Sequence, residues 1–242
     1  MQIPADLIEK LARSVQPLVF ETGIDSYRYS TAGTVFMVGF QGQPFVITTR
    51  HGLRPQTIGP ICVFPSDESL KLIPLKDVYF VPESDEPEDF MDLAIISIDT
   101  LRLNNADVAR ASLIDLALAS GEWESLTEES NLFIIGFPAD HAFIEDETQT
   151  LHTQRVVLNL KYIGNSEMPF LHKVEVTDAH ALTTFSGLSG SPIFALVPQS
   201  PERSAVVLCG MAIRGTHTSN TIHFLDRSVL IDALSSKLAK QE

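Results

Sequence analysis

The chain has 242 residues, 44% hydrophobic and 20% charged, enough for one large β or α/β domain or for two small lobes sharing a core. Its 31 acidic against 17 basic residues leave a formal charge of −14, which repels polyanions and so argues against nucleic acid and anionic membranes as partners. Two cysteines, Cys62 and Cys209, are too few for a disulfide framework; each sits in an apolar, strand-like run and is expected as a buried thiol.

The first predicted element is a helix within residues 1–23, with Leu7, Ile8, Leu11 and Val15 at helical spacing. The same stretch lacks a charged start followed by an apolar run, and no segment reaches membrane-spanning length, so the expected location is cytoplasmic. Strand signals dominate from there. Thr34–Phe40 and Pro44–Thr49 flank a hairpin-like QGQ turn, followed by ICVFP, DVYFVP and Leu93–Ile98. Residues 101–120 connect two β lobes and carry signals for a helical turn. A second group of strands follows at Asn131–Pro138, Gln154–Ile163, Lys173–Thr177, Ser191–Val197, Ala205–Ile213 and TIHFL. DRSVLIDALSSKLAK closes the chain with an acidic start and helical spacing. Short strands at this density, with turns between them, predict a barrel or sandwich. The acid-rich PESDEPEDFMD lacks the alternating oxygen ligands of a calcium loop and is expected as a solvated loop, with Asp89 weakly constrained in it.

FSGLSGSP, residues 185–192, raises the question of a nucleophile. Its glycines, serines and proline suit an ordinary turn, and a serine hydroxyl attacks near neutral pH only when a base, itself oriented, takes its proton. VITTRHGL supplies a base, His51, just after a strand. FMDLAIISI supplies an orienting acid, Asp92, at the mouth of an apolar strand, where an unpartnered carboxylate would be costly. Asp99, at the other end of that strand, reads as a turn residue.

TTRH, DLAIISI and GLSGSP stand in the order His, Asp, Ser, and GLSGSP fits the G-x-S-G-x-P pattern in one register only, that of Ser189. With IIGFP, CGMAIRG and HFLDRSVLIDAL, the chain from about residue 31 onward resembles the trypsin/chymotrypsin-like serine peptidases, in particular the compact bacterial kind without disulfides. The resemblance implies an all-β fold of two packed six-stranded β-barrels, about 30–115 and 125–225, with short helices at both ends, the second over 226–240. It implies a triad of His51, Asp92 and Ser189, and an oxyanion hole from the backbone N–H groups of Gly187 and Ser189. It also places Thr183 at the base of the primary pocket and Ile213, Arg214 and Gly215 along its wall.

Gly190 follows the serine where activation-dependent relatives carry an acid, so a new N-terminus has no carboxylate to pair with. Thr183 is not acidic, which disfavours a lysine or arginine preference. Arg214, with His217 nearby, suits an acidic substrate side chain; a small or medium apolar one suits the pocket equally. The implied function is serine endopeptidase, acting on a protein or peptide through an acyl-enzyme, with no cofactor and no metal. No HxxH or HExxH spacing among the seven histidines suggests zinc. A peptidase among cytoplasmic proteins is expected to be gated by a distorted oxyanion loop, a covered cleft or an activating protein partner. The alternatives are a catalytically silent trypsin-like binding or sensing module and an esterase-like hydrolase. The oligomeric state is left open.

Overall fold

The computed structural model describes residues 5–25, 27–53, 60–65, 71–82, 89, 92–103, 113–116, 131–145, 147–148, 150–168, 170–178, 182–200 and 203–240. Helix α1 (Ala5–Ala12) leads into β1 (Val15–Ile24), β2 (Tyr27–Phe40) and β3 (Gln43–Thr48). A single helical turn, α2 (Arg50–Leu53), precedes β4 (Ile61–Cys62), β5 (Leu75–Phe80), β6 (Ala94–Ile98) and β7 (Ile114–Asp115). These strands form a seven-stranded sheet in the order β4-β1-β2-β3-β6-β5, with β7 parallel to β2. The turn between β2 and β3 is the tight pair Gln41-Gly42, both at positive φ (48° and 74°), which suits the twist of a two-residue hairpin.

The second lobe takes β8 (Asn131–Gly136), β11 (Val156–Asn165), β12 (Leu171–Val176), β13 (Pro192–Ser200), β14 (Arg203–Thr216) and β15 (Thr221–Asp226) into a closed barrel. Its order is β11-β12-β15-β14-β13-β8. A separate hairpin, β9 (Ala142–Glu145) and β10 (Thr150–Thr153), leaves the barrel just after β8. Helix α3 (Arg227–Ala239) is capped by Asp226, whose carboxylate accepts from the Ser228 N–H.

Alternation along single strands joins the lobes. On β2, Val35 and Met37 face the core of the first lobe, while Phe36 and Val38 face a core shared with the second. On β8, Leu132 and Ile134 face the barrel interior, while Phe133 and Ile135 face the shared core. Both faces of these strands are therefore buried, which explains their near-continuous apolar runs. Val229, Leu230, Ala233 and Leu234 of α3 close that core.

Two boundaries need correction. The first helix ends at Ala12, and Val15, counted on its apolar face, starts β1; the first sheet thus begins at Val15 rather than near residue 30. The run VQPLVF fits a strand better than a helix: Pro17 lacks a donor, and β4 pairs β1 only at Val19 and Phe20, leaving that edge of Pro17 without a ladder. The expected two-lobed β architecture is present, the first lobe as a half-barrel sheet among the described residues and the second as a closed six-stranded barrel. The helical turn expected within 101–120 falls mostly outside the described residues. Cys62 and Cys209 are both buried free thiols, and burial pushes both pKa values up.

Candidate active site

His51 lies in the turn α2 that follows β3, and Asp92 lies just before β6, the neighbour of β3 in the sheet. That pairing brings the two together. Asp92 Oδ2 lies 2.7 Å from His51 Nδ1, and Asp92 Oδ1 accepts from the His51 backbone N–H at 2.9 Å. A carboxylate only accepts, so the ring proton sits on Nδ1 and Nε2 is the basic nitrogen. The Asp92 side chain is 15% exposed and that of His51 is 50% exposed, so the ring opens to the surface while its anchor does not. Arg50, next to the base, turns away and lays its guanidinium over the Phe80 ring at 5.3 Å. Asp99 is a turn residue as expected, accepting from Leu101 N–H and pairing with Arg102.

The loop carrying Ser189 comes from the second lobe and rests on β2 of the first. Thr34 N–H donates to the Ser189 carbonyl at 2.9 Å. Gly190, at φ +88°, sits so close that a Cβ there would lie 2.0 Å from the Thr34 carbonyl oxygen and 2.7 Å from Thr48 Oγ1. Glycine is needed at that crossing for both reasons. Thr48 ends β3, three residues before His51, so the loop is docked on the strand that delivers the base.

Ser189 Oγ donates to the carbonyl of Ile213 at 3.0 Å. A hydroxyl has one proton, so in this rotamer it goes to Ile213 rather than to the imidazole. On the same loop, Ser186 C=O accepts from Ala139 N–H at 2.7 Å and Leu188 C=O accepts from Ser191 N–H at 3.0 Å. A trans peptide places its N–H opposite its C=O, so the Gly187 and Ser189 N–H groups point away from those anchors. Among the described residues neither N–H has an acceptor. Two unengaged donors on a glycine-rich loop beside a serine are suited to a carbonyl oxygen that gains charge.

The four residues expected to bind substrate divide. Thr183 is exposed, but its hydroxyl and N–H both donate to Asp140 Oδ2, at 2.6 and 2.7 Å, and Thr184 N–H adds a third bond at 3.1 Å. Those bonds, the Thr183 hydroxyl foremost, hold the Asp140 carboxyl below its ordinary range. Ile213 stands at a bulge and sends its side chain into the shared core, leaving its carbonyl at the site. Arg214 ion-pairs with Asp89 at 2.7 Å, so Asp89 is more constrained than its acidic loop suggested, and the Arg214 charge is already matched. Gly215 packs under Phe185, with a Cβ there only 3.0 Å from that ring. His217 donates from Nε2 to Leu182 C=O at 2.9 Å and meets Phe185 edge-on.

Sequence reasoning missed Thr34, Thr48 and Asp140. Each is a short polar residue whose partner is far along the chain, and nothing in a single sequence marks such pairs.

No protein-family model matches the chain, and no curated protein matches it. Among solved structures it is similar to Rv3671c from M. tuberculosis H37Rv, a serine-to-alanine mutant in its inactive form. The identity is 11%, the TM-score 0.51, and the match covers 100% of this chain and 97% of that one. At that identity the likeness shows the fold, and with the closed barrel, the half-barrel sheet and the short terminal helices it defines a chymotrypsin-like double barrel. Among the described residues no helix is long and apolar enough to cross a membrane.

Proposed function

We propose that the chain is a serine endopeptidase in which His51, Asp92 and Ser189 act together on a protein or peptide substrate. The observation that carries this reading is the two-point hold of Asp92 on His51, which fixes the ring's tautomer and orientation as a general base requires. Ser189 Oγ leaves the Ile213 carbonyl, attacks the substrate carbonyl carbon, and gives its proton to His51 Nε2. The carbonyl oxygen takes the electron pair and is stabilised by the N–H groups of Gly187 and Ser189. Collapse of the adduct breaks the C–N bond, and His51 returns the proton to the departing amine. Water, deprotonated by His51, then attacks the ester, and Ser189 regains its proton as the acid leaves. Every proton moves between protein, substrate and water.

The Ser189–Ile213 bond favours a second, related reading: an enzyme latent until a protein partner or substrate turns the hydroxyl toward His51, or a module that stays silent. Digestion of a diverse peptide library, read by mass spectrometry beside Ser189→Ala and His51→Ala, tests the peptidase. Cleavage by the wild type alone is expected. A folded wild type that cleaves nothing, or cleavage that persists in Ser189→Ala, contradicts the reading.

A further inference from the structure

We propose that Thr34 is a positioning residue for the oxyanion loop, holding Gly187 and Ser189 in place from the opposite lobe; the proposal rests on the peptidase reading above. Thr34 is fully buried, and each of its polar groups has a partner. Its N–H donates to Ser189 C=O, and its C=O accepts from the Thr48 hydroxyl at 2.8 Å. Its own hydroxyl accepts from Phe137 N–H at 2.9 Å and donates to Gly187 C=O at 2.8 Å.

This last bond is the consequential one. Gly187 sits at φ +89°, where a glycine is free to turn its flanking peptides over. The carbonyl before it, that of Ser186, is fixed by Ala139 N–H, and its own carbonyl is fixed by the Thr34 hydroxyl. The first anchor directs the N–H of Gly187, which shares a peptide with Ser186 C=O; the second stops the following peptide from turning over at Gly187 and pulling the first out of place. The hydroxyl is itself oriented: β-branching restricts χ1, and the buried Phe137 amide takes up its lone pair. Gly190 leaves this chain without an acid next to Ser189 to tether the loop, and Thr34 supplies a neutral tether built into β2. The loop is then assembled without any charged group having to arrive.

The test is the second-order reaction of the full chain with a fluorophosphonate probe, resolved into its saturation constant and its maximal rate, for wild type, Thr34→Val and Thr34→Ser. Valine keeps the shape and removes the hydroxyl; serine keeps the hydroxyl. We expect Thr34→Val to lose about 10²-fold in maximal rate, the typical cost of one oxyanion donor, with the saturation constant unchanged and Thr34→Ser close to wild type. Should Thr34→Val not fold, Thr34→Ala, which leaves room for water at the two orphaned groups, is expected to show the same loss. A folded Thr34→Val or Thr34→Ala that reacts at the wild-type rate overturns the proposal and leaves the peptidase reading standing. So does a loss shared equally by both constants that serine does not restore. A folded wild type that does not react at all overturns both.

Discussion

Asp92 grips His51 twice, one carboxylate oxygen on the ring Nδ1 at 2.7 Å and the other on the backbone N–H at 2.9 Å. The second bond fixes the peptide from which the imidazole grows, so the ring is aimed by its backbone as well as by its edge. Asp92→Asn keeps the shape but carries only one acceptor oxygen. It is expected to lower turnover by roughly 10³–10⁴-fold through the wrong tautomer, with the thermal midpoint little changed. Steady-state hydrolysis and calorimetry on the same samples check this.

Gly187→Ala is expected to remove activity and cost stability together. The new Cβ would lie 2.4 Å from Phe137 O and 2.6 Å from Ala139 N, both backbone atoms that cannot rotate aside. A non-glycine residue at φ +89° adds strain of about 1–3 kcal/mol. Urea unfolding midpoints give the cost, and hydrolysis rates give the displacement of the loop.

Arg214 is matched by Asp89, so it should discriminate weakly for acidic substrate side chains as it stands. Asp89→Asn frees the guanidinium. Preference for glutamate over alanine next to the scissile bond should then rise severalfold, within about tenfold, because the Arg214 side chain is 54% exposed and water screens it. A positional peptide library compared between the two proteins reads the change directly.

Lys237 of α3 is buried and pairs with Asp77 of β5, which also accepts from the Ser97 hydroxyl. Burial alone would raise the Asp77 pKa, but the Lys237 and Ser97 hydrogen bonds and the Lys237 charge outweigh it and hold the carboxyl below its ordinary range. The folded pKa is the depressed one, so the pair's contribution is complete above the unfolded carboxylate pKa of about 3.9 and is lost as pH falls through the lower folded value. Lys237→Met is expected to cost roughly 1–3 kcal/mol at pH 7, less than a fully buried pair, because the Asp77 side chain is 39% exposed. The gap between wild type and variant should close below pH 4, which urea titrations at several pH values will show.

Much of the lobe architecture was legible because its strands are long apolar runs bounded by turn residues, and Asp226 marked the start of α3 as an acidic cap. His51 and Asp92, which the fold brings into contact, each stand at the edge of such a run, as does Ser189. What the chain did not disclose were relations across it. Val15 and Leu18 satisfy a helical and an extended pattern alike, and the partners of β1 decide between them. Thr34 looks like any strand threonine until its hydroxyl is seen against Gly187, 153 residues away. Asp140 and Thr183 are 43 residues apart, and Ile213 looks like pocket wall until the bulge turns its side chain inward.

Whether His51 activates Ser189 is read by covalent labelling of the purified chain with a fluorophosphonate, with peptide mapping of the adduct beside Ser189→Ala and His51→Ala. One adduct is expected, on Ser189, abolished by either substitution. A folded wild type without an adduct, or an adduct elsewhere that survives Ser189→Ala, would contradict it.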